Sequence, residues 1–197
     1  MFWYEDEIKR LEKERTELTY KPRTLFYGSS SIRMWDSLED DFKEFDAVNL
    51  GFGGSTLAAC TWYFDRVMTG FEPERLVFYA GDNDLGDGRH PEEVFIFFQQ
   101  LAVRVAKRFG AIPCYFISLK PSINRWNQVE QFKFTNFIIQ KEIDTNLPNW
   151  HWIAVFDAML NGNSYPEAAY YVSDGLHLSA KGYDVWKQIV LKALRSA

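Results

Sequence analysis

A three-layer α/β/α sandwich built on a five-stranded parallel sheet is the fold this sequence predicts. Three observations lead there. Short apolar runs alternate with helical patterns along the chain. The runs are apolar on both faces, as strands covered by helices on both sides must be. The first three break off at glycine-containing or small polar segments, the usual close of a strand. At 197 residues the chain has the length of about one domain. Residues 1–197 are therefore expected to form a single domain, with residues 1–20 as a helix docked on it.

Taken in order, the stretch from Phe2 to Leu18 is charged. It carries Glu5 with Lys9 and Asp6 with Arg10 at the four-residue spacing that supports a helix. Ile8 and Leu11 are placed to face a core, and Pro22 closes the helix. The strands are predicted at Thr24–Tyr27, Asp46–Leu50, Arg75–Ala80, Ile112–Leu119 and Trp152–Phe156. Helices are predicted over residues 56–69, 91–109, 127–145 and 179–195. Pro91 near a start and Gly110 just past an end give the second of these the usual asymmetry of helix termini. No internal repeat, low-complexity tract or linker divides the chain.

Composition narrows the function classes. The chain is 47% hydrophobic and 25% charged, with a mean hydropathy of −0.29, which excludes disordered, collagen-like and coiled-coil chains. The net charge is −5 and no Lys/Arg block occurs, a poor match to nucleic acid or an anionic membrane. No apolar run reaches the length of a membrane span. Met1 to Glu7 has neither the basic nor the apolar segment of a secretory signal, so the expected localisation is cytoplasmic. Two cysteines and three histidines do not make a cysteine-rich zinc cluster. Aromatic residues make up 17% of the chain. A bulky core accounts for most of them, and others are candidates to line a cleft. Trp35 and Trp126 are the tryptophans considered for substrate contact, beside Arg125 near the end of the fourth strand.

In open α/β sheets, ligands bind beyond the carboxyl ends of the strands. There the first strand delivers Gly28-Ser29-Ser30-Ser31 and the second Asn49-Leu50-Gly51-Phe52-Gly53-Gly54-Ser55. The third delivers Gly81-Asp82-Asn83-Asp84, and the loop before the last helix Asp174-Gly175-Leu176-His177. Together they supply hydroxyls, accessible backbone amides, a carboxamide, and an imidazole three residues from a carboxylate. Those are the parts of acyl transfer: a nucleophile, oxyanion donors and an oriented general base. Each part alone also reads as a cap or a turn. The glycine cluster is not Gly-x-Gly-x-x-Gly, since Thr56 stands at the third position, and no P-loop lysine follows. His90 and His151 read as surface or structural residues.

The four blocks, in this order, resemble the SGNH branch of the GDSL hydrolases. The resemblance spans residues 28–177. It implies Ser30 as nucleophile, Asp174 and His177 as acid and base, and an oxyanion hole formed by the amides of Ser30 and Gly54 with the side chain of Asn83. It also implies a flavodoxin-like sheet order of 2-1-3-4-5, no cofactor and no metal. The chain departs from the family where Ser29 replaces the usual Asp and Ser31 the usual Leu or Ile. Aligning on Gly28 makes Ser30 the nucleophile, and aligning on Ile32 would make it Ser31; Arg33 and Trp35 fit the Gly28 register. No Gly-x-Ser-x-Gly elbow is present.

The function expected is a serine esterase acting through an acyl-enzyme on a small-acyl ester of a carbohydrate or aryl alcohol. The alternatives are a lipase, lysophospholipase or thioesterase of the same family, a binding module that keeps the fold without turnover, and a flavodoxin-like FMN binder. The partner expected is a small-molecule ester, and homo-oligomerisation through the N-terminal helix stays open.

Overall fold

Five apolar runs form β1 (Thr24–Gly28), β2 (Ala47–Gly51), β3 (Arg75–Tyr79), β4 (Cys114–Ile117) and β5 (Trp150–Ile153) in a computed structural model that describes residues 2–196. All neighbours are parallel, in the order β2-β1-β3-β4-β5. The helices are α1 (Glu5–Glu17), α2 (Ser30–Arg33), α3 (Leu38–Asp41), α4 (Leu57–Val67), α5 (Asp82–Gly86), α6 (Pro91–Phe109), α7 (Val129–Asn146) and α8 (Ala180–Arg195). The helices α1, α4, α6 and α7 pack in sequence as one layer. On the other side, α8 reaches α3 through Lys187 and Asp41, 2.6 Å apart, and its Trp186 meets Trp35. The result is an α/β/α sandwich of flavodoxin-like order.

Burial on both faces explains the unbroken apolar runs. Every residue of β1 and β4 is buried. The aromatic content fills the core: Tyr27, Phe78, Phe116 and Trp152 follow one another across the sheet with ring centroids 5.7 Å apart at each step. Trp35 belongs to this core and is 1% exposed. It packs on Phe42 and Trp186, and its indole N–H donates to Asp41 at 2.8 Å. The expectation that Trp35 touches substrate is therefore corrected: an indole this buried is unavailable to a ligand.

Other expectations shift, and the fourth strand is the shorter Cys114–Ile117 rather than 112–119. The fifth strand lies at Trp150–Ile153 rather than 152–156, because the Ser118 hydroxyl takes the Val155 amide at 2.9 Å and the ladder stops there. In α1, Arg10 pairs with Glu7 and Glu14 rather than with Asp6, and Glu5 is held by Arg66. This helix ends at Glu17, ahead of Pro22, where Leu18 turns extended. The expected Ile8 and Leu11 do face the core. Among the described residues, no helix is long and apolar enough to cross a membrane.

Candidate active site

The carboxyl edge of the sheet gathers all four polar blocks. β1 runs buried to Gly28, where φ is 151° and a Cβ would collide with the Tyr79 carbonyl oxygen. Only glycine lets β1 and β3 approach this closely. Ser29 extends the contact, donating its amide to Tyr79 O at 2.9 Å. The chain then enters α2 at once, with Ser30 half-buried in its first turn. Ser31 is buried beneath it, and its carbonyl accepts from Tyr183 Oη at 3.1 Å.

A turn near the other end of the chain meets Ser30. Asp174 Oδ1 accepts from the amides of Leu176 and His177 at 2.8 and 2.9 Å. This Asx turn uses Gly175 at φ 65°, a left-handed conformation that glycine adopts without strain. It folds the imidazole back onto its own carboxylate. His177 Nδ1 lies 2.6 Å from Asp174 Oδ2, and Nε2 lies 3.2 Å from Ser30 Oγ. With the proton on Nδ1, Nε2 presents its lone pair to the hydroxyl. Burial raises the Asp174 pKa. Hydrogen bonds from the His177 ring and from the amides of Leu176 and His177 outweigh it and hold the carboxyl at about 2.

Three donors can face the same edge. Among the described residues, the amides of Ser30 and Gly54 donate to no protein group. Asn83, on α5 directly after β3, gives one side-chain N–H to Ser55 O at 3.0 Å, which leaves its second N–H free. Its Oδ1 accepts from Arg125 Nη2 at 3.0 Å. Since a guanidinium only donates, this contact decides which end of the carboxamide is oxygen. Arg125 Nη1 also donates to Asp82 O at 2.9 Å. Gly86 makes the room: a Cβ there would lie 2.6 Å from Arg125 Cζ. The guanidinium that the sequence suggested for substrate contact is thus turned inward, onto Asn83 and Asp82.

A buried charge cluster supports α5. The Asp82 carboxylate accepts from Tyr79 Oη at 3.1 Å and lies 3.5 Å from Lys120 Nζ. Burial pushes the Lys120 ammonium pKa down, against the pull of Asp82. Asp84 accepts from the amides of Leu57 and Ala58 at 2.5 and 3.4 Å, pinning α5 to the start of α4. Burial pushes its pKa up to about 6, against those amides and Arg89. Sequence reasoning assigned no role to Asp82, Asp84 or Tyr79. The one available signal was Lys120, a lone cation at the end of an apolar strand.

The loop after β4 joins the two halves. Asn124 donates its amide to Gly175 O at 3.0 Å and its side chain to Asp174 O at 3.3 Å. The next residue, Arg125, holds Asn83. Trp126 follows, half-buried and edge-on to Tyr165 at 5.1 Å. Tyr171 is buried, donating to Pro121 O at 2.6 Å. His151 stacks on Tyr115 within the sheet, and the His90 amide donates to Glu93 at the start of α6. Grooves along α4–α6 and α6–α7 include none of Ser30, Asn83 or His177. Among the described residues, no group of three or more His, Cys, Asp or Glu is placed to hold a metal ion.

Solved structures share this architecture. A protein from Streptococcus pneumonia, provisionally described as a platelet activating factor, superposes with a TM-score of 0.85 at 20% identity, over 98% of this chain and 94% of its own. A GDSL-like lipase from Bacteroides thetaiotaomicron gives 0.80 at 20% identity, over 96% and 97%. An acetyl esterase variant with an acetate ion gives 0.70 at 12% identity, over 88% and 96%. At these identities the likeness is one of fold. No curated protein sequence matches significantly. The sequence profile of the GDSL-like lipase/acylhydrolase family, however, matches residues 19–185. That match runs from the approach to β1 into α8, and the chain belongs to the GDSL-like lipase/acylhydrolase family of hydrolases.

Proposed function

We propose that this hydrolase is a serine esterase that cleaves small-acyl esters through an acyl-enzyme. The observation that carries the reading is the unbroken line from Asp174 Oδ2 through His177 to Ser30 Oγ, with steps of 2.6 and 3.2 Å. Ser30 Oγ attacks the ester carbonyl as His177 Nε2 takes its proton. Asp174 holds the tautomer and stabilises the imidazolium as it forms. The new oxyanion accepts from the Ser30 and Gly54 amides and the free Asn83 N–H. Collapse breaks the bond to the alkoxide, which leaves with the proton from His177. Water, deprotonated by the same nitrogen, then attacks the acyl group and regenerates Ser30.

The acyl preference rests on the loops. The longest connection, residues 154–179 between β5 and α8, is tied down by the bridges Leu160–Pro166 and Tyr171–Leu178. Trp126 and Tyr165 supply an aromatic rim suited to stacking on a sugar or aryl alcohol. A long acyl chain would gain about 0.8 kcal/mol per CH₂ only inside a channel. The acetate ion in the acetyl esterase neighbour agrees with a small acyl group.

The test is a fluorophosphonate probe with mass analysis of the labelled peptide. Labelling at Ser30 that disappears in His177→Ala supports the reading; labelling at Ser31, or none, overturns it. A series of aryl esters from two to sixteen carbons then tests the acyl preference. A kcat/KM that climbs to the long chains favours a lipase or lysophospholipase.

A further inference from the structure

We propose that the N-terminal segment is a positioning device for the oxyanion loop, in which Tyr4 and Glu7 set the peptide plane that carries the Gly54 N–H. This rests on the serine-esterase reading above. The segment lies outside the span matched by the family profile, which starts at residue 19.

Tyr4, the residue just before α1, and Glu7 and Arg10 within it follow at intervals of three, so they lie along one side of the segment. Each takes a different atom at the end of β2 or in the loop after it. Tyr4 Oη donates to Gly54 O at 3.0 Å. Glu7 Oε2 accepts from the Gly53 amide at 3.0 Å. Arg10 Nη2 donates to Gly51 O at 2.8 Å. The peptide planes on either side of the 53–54 unit are therefore held, one through the Gly53 N–H and the other through the Gly54 carbonyl. The plane between them keeps its N–H free of protein partners among the described residues. Gly54 has φ 65°, and a Cβ there would meet nothing within 4 Å. Glycine is needed at this position for its backbone conformation, which the flanking contacts fix, rather than for space.

Glu7 also reaches the nucleophile's own helix. Its Oε2 lies 2.7 Å from Arg33 Nε and 3.2 Å from Arg10 Nη2. Arg33 is the last residue of α2 and Ser30 the first. One carboxylate thus ties the nucleophile's helix to the loop that presents the second oxyanion donor. The rest of the α1 docking makes no hydrogen bond to the loop: Ile8 and Leu11 enter the core, and the Arg66 guanidinium on α4 bonds Glu5 and Glu12 at 3.0 Å.

The experiment is steady-state hydrolysis of an aryl acetate by the full chain, with unfolding followed in parallel. Glu7→Ala is expected to lower kcat about 10–100-fold with KM within about twofold, as for a small misplacement of a reacting group. Glu7→Gln, which keeps an acceptor for the Gly53 amide, recovers most of that loss. Tyr4→Phe lowers kcat about threefold to tenfold. Arg66→Met weakens α1 docking and lowers the unfolding temperature with kcat unchanged. The proposal is overturned if Glu7→Ala folds and keeps its kcat, or if Arg66→Met loses as much kcat as Glu7→Ala. Should Glu7→Ala not fold, an unchanged kcat in Tyr4→Phe overturns it. Ser30→Ala separates the two levels: turnover that survives it removes the serine-esterase reading, whatever the helix variants do.

Discussion

The proposed base and the proposed oxyanion hole of this site are built in opposite ways. The base is local: Asp174 and His177 stand three residues apart, and two amides of the same turn aim the carboxylate. The Asp174 side chain is 45% exposed. The oxyanion half is assembled from a distance. Asn83 is fixed by Arg125, 42 residues on, and Gly54 by Tyr4, 50 residues back. Beneath it lie the buried charges of Asp82, Asp84 and Lys120. A hydrogen-bonded turn can orient an imidazole without help. A backbone amide and a carboxamide have no local means of facing a common point, so the rest of the fold must aim them.

The comparison can be broken at several levels. The largest effect is expected at the junction of the two halves. Ser30→Ala and His177→Ala should each lower kcat about 10⁴-fold or more, and the double variant little further, because the proposed nucleophile and base would act as one unit. A double variant that loses the product of both single losses would dissolve that unit. Next comes Asn83→Ala, expected to raise the barrier by roughly 2.7–4 kcal/mol, in kcat more than in KM. An unchanged kcat would reduce Asn83 to a turn residue.

Arg125 sharpens the contrast. If it acts through Asn83, Arg125→Met should lower kcat about tenfold and add almost nothing in an Asn83→Ala background. Full additivity would mean a separate contact with substrate.

The smallest effect concerns the exposed half and stability rather than rate. The folded Asp174 carboxyl titrates at about 2, below the roughly 3.9 of an unfolded aspartate. Its contribution is therefore complete above about pH 4 and is lost as pH falls from there towards 2. Solvent screens so exposed a group, so the slope should be shallow. Denaturant titrations of Asp174→Asn should show a slightly flatter acid limb. An acid limb identical to that of the unsubstituted chain would show that the turn adds no stability.

What the sequence determined by itself is whatever is local or periodic. Runs apolar on both faces demanded a sheet covered on both sides, and the order β2-β1-β3-β4-β5 agrees with the motif resemblance. Pro91 and Gly110 bounded α6 at its observed ends. The Asp174–His177 spacing and the glycines at the ends of β1 and β2 marked the candidate site, because turn chemistry and close backbone approach leave residue-type signatures. The tertiary structure decided the matters of partnership. A tryptophan reads the same in a core or a cleft until its neighbours are known, and Trp35 went to the core. An arginine reads the same facing solvent or a carboxamide, and Arg125 faces Asn83. Arg10 had an acidic residue at helical spacing on either side, yet one of its bonds goes to Gly51, 41 positions away. Such choices depend on which surfaces meet when the layers close. A side chain's length and charge permit many partners, and only packing selects one.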